Sequence, residues 1–185
     1  MSLLLALFLT AVPQEDDPTL TSMPEGWVSG KKSGWDGDYP PGWEKKTDEE
    51  KEKFLETWNN AKARYIRYLK GAKGLPTGPV TGILYMLKAV NAGLGCQASA
   101  DIAMFGQNRK LKENDFKIML KAAASVHGTD VPHTDVVVIV KDLLTNGLLG
   151  SALDQRIRAE ILKKHQQIQQ EKAKKKEGEG KDPKK

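Results

Sequence analysis

Thr134-Asp-Val-Val-Val-Ile-Val-Lys-Asp-Leu-Leu-Thr-Asn-Gly-Leu-Leu-Gly150 can be read as a strand or as a helix, and the architecture turns on which. The run of β-branched residues from Val136 to Val140 suits a strand. Two features favour a helix. Thr134-Asp135 supplies a helix start, and Leu143-Leu144 continues a 3.6-residue apolar period up to the stop pair Asn146-Gly147. A similar string lies upstream: Thr81-Gly-Ile-Leu-Tyr-Met-Leu-Lys-Ala-Val-Asn-Ala-Gly-Leu-Gly95 aligns with it once two single-residue gaps are allowed. In both, an apolar helix ends at Gly-Leu, a second glycine follows, and another helix starts near Ser99 or Ser151. The expected unit is a helix hairpin occurring twice. The fold class is mainly α, a small helical bundle of about five helices.

The flanking segments agree with a helical body. Thr47-Asp-Glu-Glu50 is a capping box, and behind it Phe54, Trp58, Ala61, Tyr65, Tyr68 and Leu69 recur at helical spacing as far as Lys70. Gly78-Pro79 opens the first hairpin, and a short helix is expected from Ser99 to before Gly106. Phe116, Met119, Leu120, Ala123 and Val126 mark another helix, closed by His127-Gly128. Ser151-x-x-Asp154 is a cap for the last helix, whose apolar face is Leu153, Ile157, Ile161 and Ile168.

Between the helical body and the N-terminus the texture changes. Gly26-Trp27, Gly34-Trp35 and Gly42-Trp43 recur every eight residues, interspersed with Pro24, Pro40 and Pro41. Such Gly and Pro density forbids a helix and a continuous strand, so turns and extended pieces are expected. Each indole can bury on the order of 200 Å² and still keep its N–H bonded. The rings therefore have two readings. They pack on the helical body, or Trp27, Trp35, Tyr39 and Trp43 with Lys31 and Lys32 form an interaction surface for sugar rings, bases or a protein. Asp36-Gly37-Asp38 begins like a calcium loop but lacks the later ligands.

Charge is distributed unevenly. The chain has 185 residues and a net charge of +5, and residues 163–185 hold nine lysines against four carboxylates. That segment carries the whole excess, so residues 1–162 are neutral. The tail is expected to be a fraying helix end followed by disorder. It offers an anionic polymer or nucleic acid a salt-dependent contact, although specific nucleic-acid reading is not supported by any motif.

Leu3 to Val12 is an apolar run followed by the polar Gln14-Glu-Asp-Asp17. Ten residues of helix span about 15 Å, half a bilayer core, so the run suits a signal peptide better than a membrane span, despite the absence of Lys or Arg before it. The expected organisation is a signal peptide at 1–13, an irregular Gly-Trp-rich segment at 14–46, a helical domain at 47–165 and a Lys-rich tail at 166–185. Secretion or a periplasmic location follows, with the cytoplasm as the alternative.

Reactive-group patterns are sparse. Gly93-Leu-Gly95-Cys-Gln-Ala98 matches a dinucleotide fingerprint, yet the strand–turn–helix it requires is missing, and a helix-to-helix turn explains the glycines. The single cysteine, Cys96, and the three histidines at 127, 133 and 165 follow no nucleophile or zinc spacing. No catalytic, cofactor-binding or metal set is expected. The expected role is non-catalytic, as an interaction or structural protein of the cell envelope whose partner is an envelope polymer or another protein. The alternatives are anionic-polymer binding through the tail and an enzyme of another type.

Overall fold

The computed structural model describes Trp27, residues 39–72 and residues 74–179, the last three by backbone alone. The expected signal peptide, Trp35, Lys31, Lys32 and residues 180–185 lie outside the described residues. Six helices follow one another: α1 Asp48–Lys70, α2 Pro79–Asn91, α3 Cys96–Asn108, α4 Glu113–Ala123, α5 His133–Thr145 and α6 Gly150–Glu179. No strand occurs among the described residues, and the mainly α class holds. The valine run 136–140 is helical because Val136, Val137 and Val140 share the buried side of α5 with Leu144.

Several boundaries differ from those expected. The helix expected to stop before Gly106 continues to Asn108, because Gly106 is buried against α4, where a Cβ would stand 2.7 Å from Met119 Cε. Ser151 does not cap α6. The helix begins one residue earlier, and the Gly150 N–H donates to Asp115 Oδ1 at 3.0 Å. The Thr47 capping box forms as read, with the Glu50 carboxylate accepting from the Thr47 N–H at 2.8 Å and the Thr47 hydroxyl accepting from the Glu50 N–H at 3.2 Å. At the other end, α6 runs helically through most of the Lys-rich segment, to Glu179.

Helices two apart in sequence pack side by side, so α1, α3 and α5 make one layer and α2, α4 and α6 the other. The duplication is larger and more regular than a hairpin. Starts of α2 and α5 (79 and 133) and of α3 and α6 (96 and 150) both differ by 54 residues. The same offset superposes the left-handed glycines Gly74 on Gly128 and Gly93 on Gly147. It also superposes the bonds that close the hairpin turns, Leu94 N–H to Ala89 C=O at 3.0 Å on Leu148 N–H to Leu143 C=O at 3.1 Å. No gaps are required. Each repeat is a three-helix unit, α1–α3 and α4–α6, in which the first helix lies along the third.

Equivalent core positions of the two units differ in size and polarity. Ser99, Ala103 and Gln107 of α3 correspond to Leu153, Ile157 and Ile161 of α6, all buried. On the facing helices, Lys62, Tyr65 and Leu69 of α1 correspond to Phe116, Met119 and Ala123 of α4, again all buried. Bulky α1 side chains thus meet small or polar α3 positions, whereas in the second unit α6 is large at all three positions and α4 is small only at Ala123.

Candidate functional site

The aromatic cluster comes first because the sequence offered its rings as an interaction surface. Trp27, Tyr39 and Trp43 are buried, Trp27 to 1 % exposure. Trp27 has its ring centroid 5.0 Å from Trp43, 5.3 Å from Phe54 and 6.2 Å from Trp58. Its indole N–H donates to Asn91 Oδ1, the last residue of α2, at 2.7 Å. A short 3₁₀ turn, Trp43–Lys45, starts at the left-handed Gly42, and Tyr39 donates its hydroxyl to Glu44 at 2.6 Å. This is the packed arrangement of the two expected. Trp27 and Trp43 cover the side of the first unit formed by Phe54 and Trp58 of α1.

The Gly93-Leu94-Gly95 turn is occupied by imidazole rather than prepared for pyrophosphate. A Cβ on Gly93 would stand 2.6 Å from His127 Cβ, and one on Gly95 2.8 Å from His133 Nδ1. His133 Nδ1 accepts the Gly95 N–H at 2.5 Å, closing the N-terminus of α3. His165 on α6 accepts the Asp130 N–H through its own Nδ1 at 3.1 Å. All three histidines thus sit on the 127–133 loop or against it, and two of them satisfy backbone donors. Cys96 is buried beside this turn, and burial pushes its thiol up to about 12, away from nucleophilic chemistry. No cluster of three or more metal-ligating side chains occurs among the described residues.

Two surface features have the chemistry of contact sites. A groove of about 350 Å³ lies where α1, α3 and α5 meet, lined by Tyr68, Asp101, Met104, Phe105, Asn108 and Lys141. Lys141 Nζ stands 5.8 Å above the Phe105 ring, and Asp101 is ion-paired with Arg64 of α1. The sequence did not mark this groove because its residues come from three helices and follow no local spacing. The second feature is the distal part of α6. From Gln169 to Lys176 every side chain is exposed, and Lys172, Lys174, Lys175 and Lys176 project from it. Among the described residues, no helix is long and apolar enough to cross a membrane.

No protein-family model matches this chain, and comparisons with curated proteins and with solved structures find no similar protein. The described residues form six helices arranged as two three-helix units.

Proposed function

We propose that this chain is a non-catalytic interaction or structural protein exported to the cell envelope. The supporting observation is that its reactive side chains are engaged in structural contacts of the described fold. The Cys96 thiol is buried, His133 and His165 accept backbone N–H groups, and Trp27 and Trp43 fill the core. The apolar run 3–12 supports export. The α1–α3–α5 groove is the contact face, offering the Lys141 cation, the Phe105 and Tyr68 rings and the Arg64–Asp101 pair to an envelope polymer or another protein. Lys31, Lys32 and Trp35 stay within the proposed interaction surface.

Titration of the ¹⁵N-labelled protein with peptidoglycan and acidic polysaccharide fragments tests the reading. Amide shifts are expected at Tyr68, Phe105 and Lys141, and Phe105→Ala is expected to weaken the interaction by about tenfold. Saturating fragments that leave these amides unmoved would remove the groove. Mass spectrometry of the native protein reads the address: a chain cleaved near residue 13 in the envelope fraction is expected, and an intact Met1 in the cytosol would overturn export.

A second reading rests on the exposed lysines of distal α6, which suit an anionic polymer held by counterion release. In that case the shifts fall on residues 172–176, and affinity drops steeply with salt.

A further inference from the structure

We infer that the 127–133 loop is an acid-sensitive latch joining the two three-helix units and holding the distal half of α6. The loop is bonded on both sides through imidazole acceptors. On the first unit, His133 Nδ1 takes the Gly95 N–H at 2.5 Å while His127 fills the space above Gly93. Towards α6, His165 Nδ1 takes the Asp130 N–H at 3.1 Å. An imidazole accepts through Nδ1 only when that nitrogen is unprotonated; in the imidazolium both nitrogens are donors. Protonation would set two N–H groups against each other at either joint.

The protein groups around His133 give an imidazolium little compensation. It begins α5 and closes the start of α3, so two helix N-termini, each with partial positive charge, converge on it. The titratable groups of this junction are Cys96 on α3, His127 and Asp130 in the loop, Asp135 on α5, and Lys164, His165 and Lys172 on α6. Asp135 is already paired with Lys164 at 3.4 Å and Asp130 with Lys172 at 3.1 Å, while Gln169 also donates to Asp130. Both carboxylates are therefore committed to α6. His133 is exposed at the surface, and partial desolvation of its ring lowers its affinity for a proton below the ordinary value of 6.5.

The sign follows from linkage. A folded-state value lowered below the unfolded one gives stability that is present above pH 6.5 and is lost as pH falls through the folded value. At mild acidity the His133 joint of the latch opens before the rest of the fold, which exposes the Gly93–Gly95 turn.

Amide hydrogen exchange and ring titration on the full chain test this. From pH 7.5 to 5.0, after correction for intrinsic exchange, protection of the Gly95 amide is expected to fall on the order of tenfold for each unit by which the folded value of His133 lies below the unfolded one. Amides inside α4 are expected to hold their protection. His133→Asn keeps an oxygen acceptor near the Nδ1 position without a titratable ring, so its Gly95 protection is expected to stay flat with pH. Should that variant fail to fold, the wild-type His133 ring titration read by NMR is sufficient. A value at or above 6.5, or Gly95 protection that does not change with pH, would overturn the latch.

Discussion

Gly82 shows how strictly single positions are set. It lies inside α2, and a Cβ there would overlap the Tyr65 hydroxyl and stand 2.8 Å from Tyr65 Cζ. Tyr65 cannot swing aside, being fully buried and receiving a hydrogen bond from Gln107 Nε2 at 2.7 Å. Gln107 holds the position with a second bond, to the Thr77 carbonyl at 2.9 Å. Gly82→Ala gains about 1 kcal/mol of helix propensity, but it overpacks this site and disturbs two buried hydrogen bonds. A net loss of about 1–3 kcal/mol is expected in urea unfolding, where a stabilised variant would contradict the packing described. Nothing in the local sequence flags Gly82, because the ring that excludes a Cβ comes from another helix. Tyr65, by contrast, was legible as core from its place on the apolar stripe of α1.

At the scale of elements, the repeat provides a matched comparison. Gly93 and Gly147 end α2 and α5 with φ of 102° and 79°, at equivalent places in the two turns. Their surroundings differ, since a Cβ on Gly147 meets nothing within 4 Å, whereas one on Gly93 collides with His127. Gly147→Ala is expected to lose about 1–2 kcal/mol from left-handed backbone strain alone. Gly93→Ala adds the displacement of His127 to the same strain, so its unfolding midpoint should fall distinctly further. Equal losses would mean that the His127 packing contributes nothing. The glycines themselves, and the helix ends they make, could be read from Asn-Gly and Ala-Gly at the end of apolar stripes. What fills the space beside them could not, because His127 and His133 lie some 35 to 40 residues away in the chain.

For the whole molecule, the question is what covers the outer faces of the two described units. Unpaired ends of helical arrays are normally covered by polar faces. Here the first end is sealed by Trp27 and Trp43. The other is sealed by substitution: where α3 buries Ala98, Ala100, Ile102 and Gly106 between its neighbours, α6 carries Ala152, Asp154, Arg156 and Glu160, none of them buried. Those charges are paired along the helix, Arg158 with Asp154 at 3.0 Å and Arg156 with Glu160 at 2.8 Å. Replacing them as Asp154→Ala, Arg156→Ile and Glu160→Ala in one chain restores an α3-like face. Concentration-dependent self-association is expected in sedimentation velocity, and a variant that remains monomeric would show that these charges do not terminate the stack.

Local pattern was enough for what depends on neighbours along the chain. The helical class, the Thr47 capping box, the apolar faces of α1 and α4 and the uneven charge all follow from spacing over a few residues, since helix formation and capping are short-range. Long-range packing settled the rest. The valine run became helix because its period matched a buried face, and Trp27, Tyr39 and Trp43 went into the core, Trp27 and Trp43 against Phe54 of α1. The repeat emerged from two helix pairs, α2 with α5 and α3 with α6, whose starts share an offset of 54. Contacts between residues distant in sequence arise only when the layers assemble, and the α1–α3–α5 groove and the imidazole latch are both made of such contacts.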